Sequence, residues 1–327
     1  MWWPDRWLSI VPRADLELPD AGGVYAGSSL RSMTCQSSAN VRPRSPSQGT
    51  IVGETLQVFT GVNVILAIGF YLIAMTGLLS LGSGAFMAIG AYASGILTVK
   101  FGWPFLPALV IGSIATGSIS VAMVYPALRQ LQGIYFAVAT LAVSEIVRVF
   151  FMNFEFTGGA SGFRGMAGTT LEWVYGLALL TIAIAWFISR SNLGIRMRAV
   201  GQDEAAAMSA GINPARIKVI AVWIGASLSG VAGALYAHYT FFINPEMFGW
   251  TRALEILLFV VLGGGEVVLG PVVGAFILTV LPEALRSQGS MRMIFYGVAV
   301  IVMMAVRPRG LITRDSVRAI AMQLGRR

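Results

Sequence analysis

The chain has 327 residues, of which 56% are hydrophobic and only 12% charged, and its formal net charge is +8. Soluble domains carry roughly 25% charged residues, whereas the apolar runs here are continuous over about 18–24 residues, enough to cross ~30 Å of hydrocarbon as helix. This excludes an ordinary soluble enzyme, and it excludes a membrane β-barrel, whose strands alternate apolar and polar positions. The expected fold is an all-α, polytopic transmembrane helical bundle of about 8–10 spans, counting short or broken helices.

The 38 glycines suit helices whose backbones approach closely in lipid. The 21 Arg and 2 Lys cluster between apolar runs, so they read as loop charges at a membrane surface rather than a nucleic-acid footprint. Cys35 is the single cysteine and His238 the single histidine, which argues against both an intrachain disulfide and a metal site.

Residues 1–50 are rich in Ser, Pro, Arg and Gly and lack a long apolar run. They are expected to be disordered, and they lack the pattern of a signal peptide. Spans are predicted at 53–75, 80–99, 104–126, 133–152, 172–190, 217–239, 253–265, 270–287 and 290–306, making 51–312 a membrane domain and 313–327 a basic tail. The stretch 253–287 is too long for one span. Gly263, Gly264 and Gly265 break it, and Gly270-Pro271 can restart a helix.

Charge supports that division. The loop 190–218 carries Arg190, Arg196, Arg198, Arg216 and Lys218, and the tail after 306 carries six arginines. Both are expected to be cytoplasmic by the positive-inside rule. Two cytoplasmic ends require an even number of crossings between them, which the split supplies. Counting backwards gives five spans before the loop and puts residue 50 outside. Either 80–99 is re-entrant or a helix is missing at the front, so the first 50 residues are not expected to be the native beginning of this fold.

No G-x-x-x-x-G-K-[ST] loop, H-E-x-x-H helix or nucleophile elbow with a placed histidine occurs. His238 closes an apolar run beside Tyr236 and Tyr239, where an interfacial aromatic belt is the simplest expectation.

The stretch 196–214 is the most informative. Asp203 and Glu204 suit the positive start of a helix, Ala205, Ala206 and Ala207 favour it, and Gly211 and Pro214 end it. A two-turn helix between two membrane spans is predicted, open to docking on a partner. An ordinary surface connector is the alternative.

This segment resembles the cytoplasmic "EAA" loop of bacterial ABC importer permeases, in the version found in branched-chain amino acid permeases. Glu204-Ala205-Ala206 matches its acidic-Ala-Ala start, and Gly201 precedes it. Gly211 is shifted by one residue from the commonest spacing. The lead-in Ser191–Val200 is similar to "S-x-x-G-R-x-x-R-A-I", with Ile195 where Arg is frequent. Leu79–Tyr92 resembles "LSLGHAAFFGIGAY", with Ser83 at the usual His. Gly133–Arg148 resembles "GxYFAxxTLAFAEIxR", and Thr157–Gly162 resembles "TGGxxG". Val261–Pro271 resembles "LGGxGSxxGP", with Glu266 where Gly or Ser is common, and Arg307–Leu311 resembles "RPRGL". The match runs from about 56 to 312 and points to the M-type subunit.

The resemblance implies a transport subunit without catalytic residues in the bacterial inner membrane, its C-terminus cytoplasmic. Its partners would be a second, H-type permease, two ATP-binding subunits that hold ATP and Mg, and a periplasmic substrate-binding protein. No cofactor is expected in this chain. Residues 192–215, with Gly201, Asp203, Glu204, Ala205, Ala206, Ala207, Gly211 and Pro214, would couple to the ATPases. The breaks at Ser80, Gly82, Ser83 and Gly84 and at Gly263–Gly265 are pathway or helix-packing candidates, since broken helices can turn their N-termini to a carboxylate. Glu145 and Arg148 are pathway residues or, preferably, a structural ion pair. Thr157, Gly158, Gly159 and Gly162 would face the binding protein. Alternatives are a urea or short-chain amide permease of the same superfamily and a stand-alone secondary transporter or channel. Neighbouring genes for two ATPases, a second permease and a binding protein would separate these classes.

Overall fold

The computed structural model describes residues 48–131, 133–284 and short pieces between 297 and 312. Most of the expected disordered segment, most of the expected span 290–306 and the basic tail 313–327 lie outside the described residues. Ten α-helices are present among the described residues: α1 (Gln48–Ala74), α2 (Ser83–Val99), α3 (Phe105–Gln130), α4 (Gly133–Asn153), α5 (Leu171–Arg190), α6 (Asn192–Gln202), α7 (Glu204–Ser209), α8 (Pro214–Thr240), α9 (Trp250–Gly263) and α10 (Leu269–Ala284). Among the described residues, five helices are long and apolar enough to cross a membrane: α3, α4, α5, α8 and the Gly53–Ala74 part of α1. The protein is a polytopic helical membrane protein.

Helix α8 is the central element, packing along α1, α2 and α3. Glycine makes this closeness possible. A Cβ at Gly69 of α1 would lie 2.7 Å from the Gly225 carbonyl oxygen, and one at Gly230 would lie 2.7 Å from Thr116 Oγ1 of α3. Such backbone approach is how helices associate where lipid removes the hydrophobic drive between them. In contrast, α3, α4 and α5 expose large apolar side chains such as Val110, Ile134, Leu179 and Phe187.

The bundle has two distinct ends. At one, β1 (Phe163–Arg164) pairs antiparallel with β2 (Phe242–Ile243), joining the α4–α5 and α8–α9 connections. The Tyr239 hydroxyl donates to Thr55 Oγ1 (3.0 Å), placing the start of α1 at this ribbon end. At the other, basic end, α6 and α7 carry the arginine-rich connection, and Gly201 packs on Gly77 just beyond α1.

Two helices begin inside the bundle. The Leu81 N–H donates to Thr140 Oγ1 (2.9 Å), and Ser144 Oγ donates to the Leu81 carbonyl (2.8 Å). Ser144 lies about 16 Å along α4 from Gly133, so the segment before α2 climbs from the basic end to mid-depth before the helix starts. The expected 80–99 segment thus runs towards the ribbon end of the bundle after a non-helical first part. The start of α9 lies beside it: a Cβ at Gly84 would meet the Phe248 carbonyl oxygen at 2.6 Å. The break expected at Gly263–Gly265 is present, between α9 and α10. Leu311 and Ile312 N–H groups donate to the Leu262 and Gly263 carbonyls (2.9 and 3.0 Å), satisfying the orphan acceptors at the end of α9.

Candidate functional site

The loop between α5 and α8 is built from local caps. The lead-in expected as loop is helix α6, whose N-cap Ser191 Oγ accepts from Gly194 N–H. Asp203 caps α7, its carboxylate accepting from Ala205 and Ala206 N–H at 2.8 and 3.1 Å. The six-residue α7 ends at Gly211 (φ +78°), with Ile212 N–H returning to the Ala207 carbonyl at 3.0 Å, a Schellman arrangement. Asn213 then caps α8 through Arg216 N–H, and Pro214 takes the first helical position, starting the next helix as well as closing the last.

This short helix is fastened on one side and open on the other. Ala207 is buried, whereas Ala205, Ala206, Met208 and Gly211 are exposed. Glu204 pairs with Lys218 of α8, whose side chain is 4% exposed. Gly201 lies flush against the link after α1: a Cβ there would sit 2.5 Å from the Met75 carbonyl oxygen and 2.9 Å from Gly77 N. Beside α7, a cleft of about 490 Å³ opens towards Leu128, Arg129 and Leu131 at the end of α3.

In the interior, the break residues meet protein groups. Ser80 Oγ accepts from Gly82 N–H (3.3 Å), and Gly82 lies against the Phe86 ring. Ser83 Oγ is buried without a hydrogen-bond partner among the described residues. Glu145 accepts from Arg148 Nε (2.7 Å) and, through its other oxygen, from Trp250 N–H (3.1 Å). It thus supplies the cap that Gly249 cannot give to α9. The Glu145–Arg148 pair links α4 to the interior start of α9. Gly263 and Gly264 lie where α9, α10 and Gly310 crowd together, while Gly265 has open space around it.

Comparison with known proteins decides the family. The family model described as "Branched-chain amino acid transport system / permease component" matches residues 54–307. The chain belongs to this family. It is 32% identical over 303 residues to the high-affinity branched-chain amino acid transport system permease protein LivM of Escherichia coli, covering 81% of this chain and 70% of that protein. It is 31% identical to LivM of Salmonella typhimurium, covering 79% and 69%, and 25% identical to the corresponding LivH of Escherichia coli, covering 81% and 97%. No solved structure gives a significant match. This branched-chain family member is a permease subunit and not an enzyme.

At the ribbon end of the permease, Thr157 is buried and donates to the Phe154 carbonyl (3.1 Å), while Gly158, Gly159 and Gly162 take positive φ. A Cβ at Gly162 would meet the Ile243 carbonyl oxygen at 2.6 Å, so this glycine seats the loop on β2. The loop between α5 and α8, the interior breaks and this glycine loop are three separate places. His238 departs from expectation. It is fully buried between Thr98 Oγ1 (3.0 Å to Nε2), the Ala234 carbonyl (2.8 Å to Nδ1) and the Phe105 ring, because α2 and α3 cover that face of α8.

Sequence reasoning missed a second polar constellation in the permease. Arg252 of α9 pairs with Glu255 and donates to Asn63 Oδ1 of α1 (2.5 Å), and Asn63 Nδ2 donates to Thr279 Oγ1 of α10 (2.9 Å). The available signal was an Arg and a Glu three apart, with a lone Asn in another apolar run. No group of three or more His, Cys, Asp or Glu able to hold a metal occurs among the described residues.

Proposed function

We propose that this permease forms half of the translocation path of an ABC importer for branched-chain amino acids in the bacterial inner membrane. Its partners are a second, H-type permease, two ATP-binding subunits that hold ATP and Mg, and a periplasmic binding protein. The observation that carries the coupling role is α7, capped at both ends, exposed through Ala205, Ala206 and Met208, and tied by Glu204 to buried Lys218. The basic end is assigned to the cytoplasm because it concentrates Arg190, Arg196, Arg198, Arg216 and Lys218.

In this reading, closure of the ATPases displaces α7 as a rigid body. The displacement passes to α8 through the ion pair and to the α1–α2 link through Gly201. Branched-chain substrates are supported by similarity to relatives named for that transport. The test is reconstitution of the complete importer with labelled leucine. Gly211→Trp or Glu204→Arg is expected to leave membrane insertion intact and keep ATPase activity while abolishing uptake. Unchanged uptake in both variants would overturn the coupling role, and no leucine uptake by the unaltered complex would overturn the substrate.

A further inference from the structure

A cavity of about 390 Å³ lies among α1, α2, α8, the Pro245–Phe248 turn, α9 and α10, within the size range of ligand sites, roughly 300–1,000 Å³. One wall is charged and amide-bearing: Arg252, Glu255, Asn63 and Thr279. The other is apolar and aromatic: Phe59, Met87, Met247 and Tyr236. Asn63 and Arg252 each lie 11 residues before the basic-side end of their helix, or about 16 Å, and Thr279 lies about 15 Å along α10. All three therefore stand near the middle of a ~30 Å hydrocarbon layer.

Charged groups at this depth do not face lipid. The arrangement also leaves hydrogen-bonding capacity unused. Among the described residues, Arg252 spends two of a guanidinium's five N–H donors, on Glu255 and Asn63, and one Glu255 carboxylate oxygen accepts no hydrogen bond. We infer that this cavity is a mid-membrane contact site for a zwitterionic α-amino acid. Arg252 meets the carboxylate, Glu255 meets the ammonium, and the Phe59–Met87–Met247 wall takes a branched apolar side chain. This rests on the importer reading above and assigns residues to its substrate step. Arg252 sits in the first turn of α9, a helix begun inside the bundle, and transporters commonly place substrate at such interior helix starts.

The experiment uses the assembled importer in membrane vesicles. Cys35 is the sole native cysteine, so Cys35→Ser with Met247→Cys places one thiol on the cavity wall. A water-soluble thiol reagent is expected to label it, and leucine delivered by the loaded binding protein during turnover is expected to slow labelling severalfold. Glu255→Gln and Arg252→Lys are expected to lower leucine uptake about tenfold or more, the scale of a lost charged hydrogen bond, and to remove the protection while ATPase activity persists. Uptake by the unaltered complex without labelling, or with labelling indifferent to leucine, overturns the site and leaves the importer reading standing. Absence of leucine uptake by the unaltered complex overturns that reading and the site with it.

Discussion

Lys218, near the start of α8, is buried and pairs with Glu204 in the first turn of α7. Removing one partner of a fully buried pair costs about 3–5 kcal/mol. With 32% of the Glu204 side chain exposed, water screens part of this, and about 1–3 kcal/mol is expected for Glu204→Ala. Lys218→Met, which removes the buried charge itself, is expected to cost less. Thermal inactivation of detergent-solubilised importer checks the order. Equal losses would mean that the pair does not fasten α7.

The contact of Gly201 with the link after α1 involves backbone, which cannot rotate aside. Gly201→Val is expected to push α6 away from Met75 and Gly77 and to reduce uptake by about tenfold or more, with normal insertion, since overpacking typically costs about 1–3 kcal/mol. Uptake measured against membrane abundance tests this. Wild-type uptake would show that the contact opens freely.

Glu145 holds both Arg148 and the first N–H of α9. Glu145→Gln keeps an acceptor and is expected to cost about 1 kcal/mol. Glu145→Leu removes the acceptor of both Arg148 Nε and Trp250 N–H and should cost more, about 1–3 kcal/mol. Thermal unfolding followed by size-exclusion fluorescence separates the two. A Gln variant as unstable as the Leu variant would contradict the capping role.

Two neighbouring serines should behave oppositely. Ser144 Oγ binds the Leu81 carbonyl, so Ser144→Ala is expected to destabilise by about 1–2 kcal/mol. Ser83 Oγ has no partner among the described residues, so Ser83→Ala is expected to be neutral or slightly stabilising. The same unfolding assay compares them, and a larger loss at Ser83 would reverse the assignment.

The membrane class, the break at Gly263–Gly265 and the short helix begun at Asp203 and Glu204 and stopped at Gly211 were all determined by the sequence alone. Hydropathy adds up along a chain, and caps act over two to five residues, so both are readable without a fold. Three other features were decided only by tertiary structure. These are the interior starts of α2 and α9, the burial of His238, and the meeting of Asn63, Arg252 and Thr279 from three helices. Arg252 and Asn63 are 189 residues apart. Which faces of two helices meet, and at what depth, depends on where glycines let backbones close together, and that is a property of the packed pair rather than of either segment.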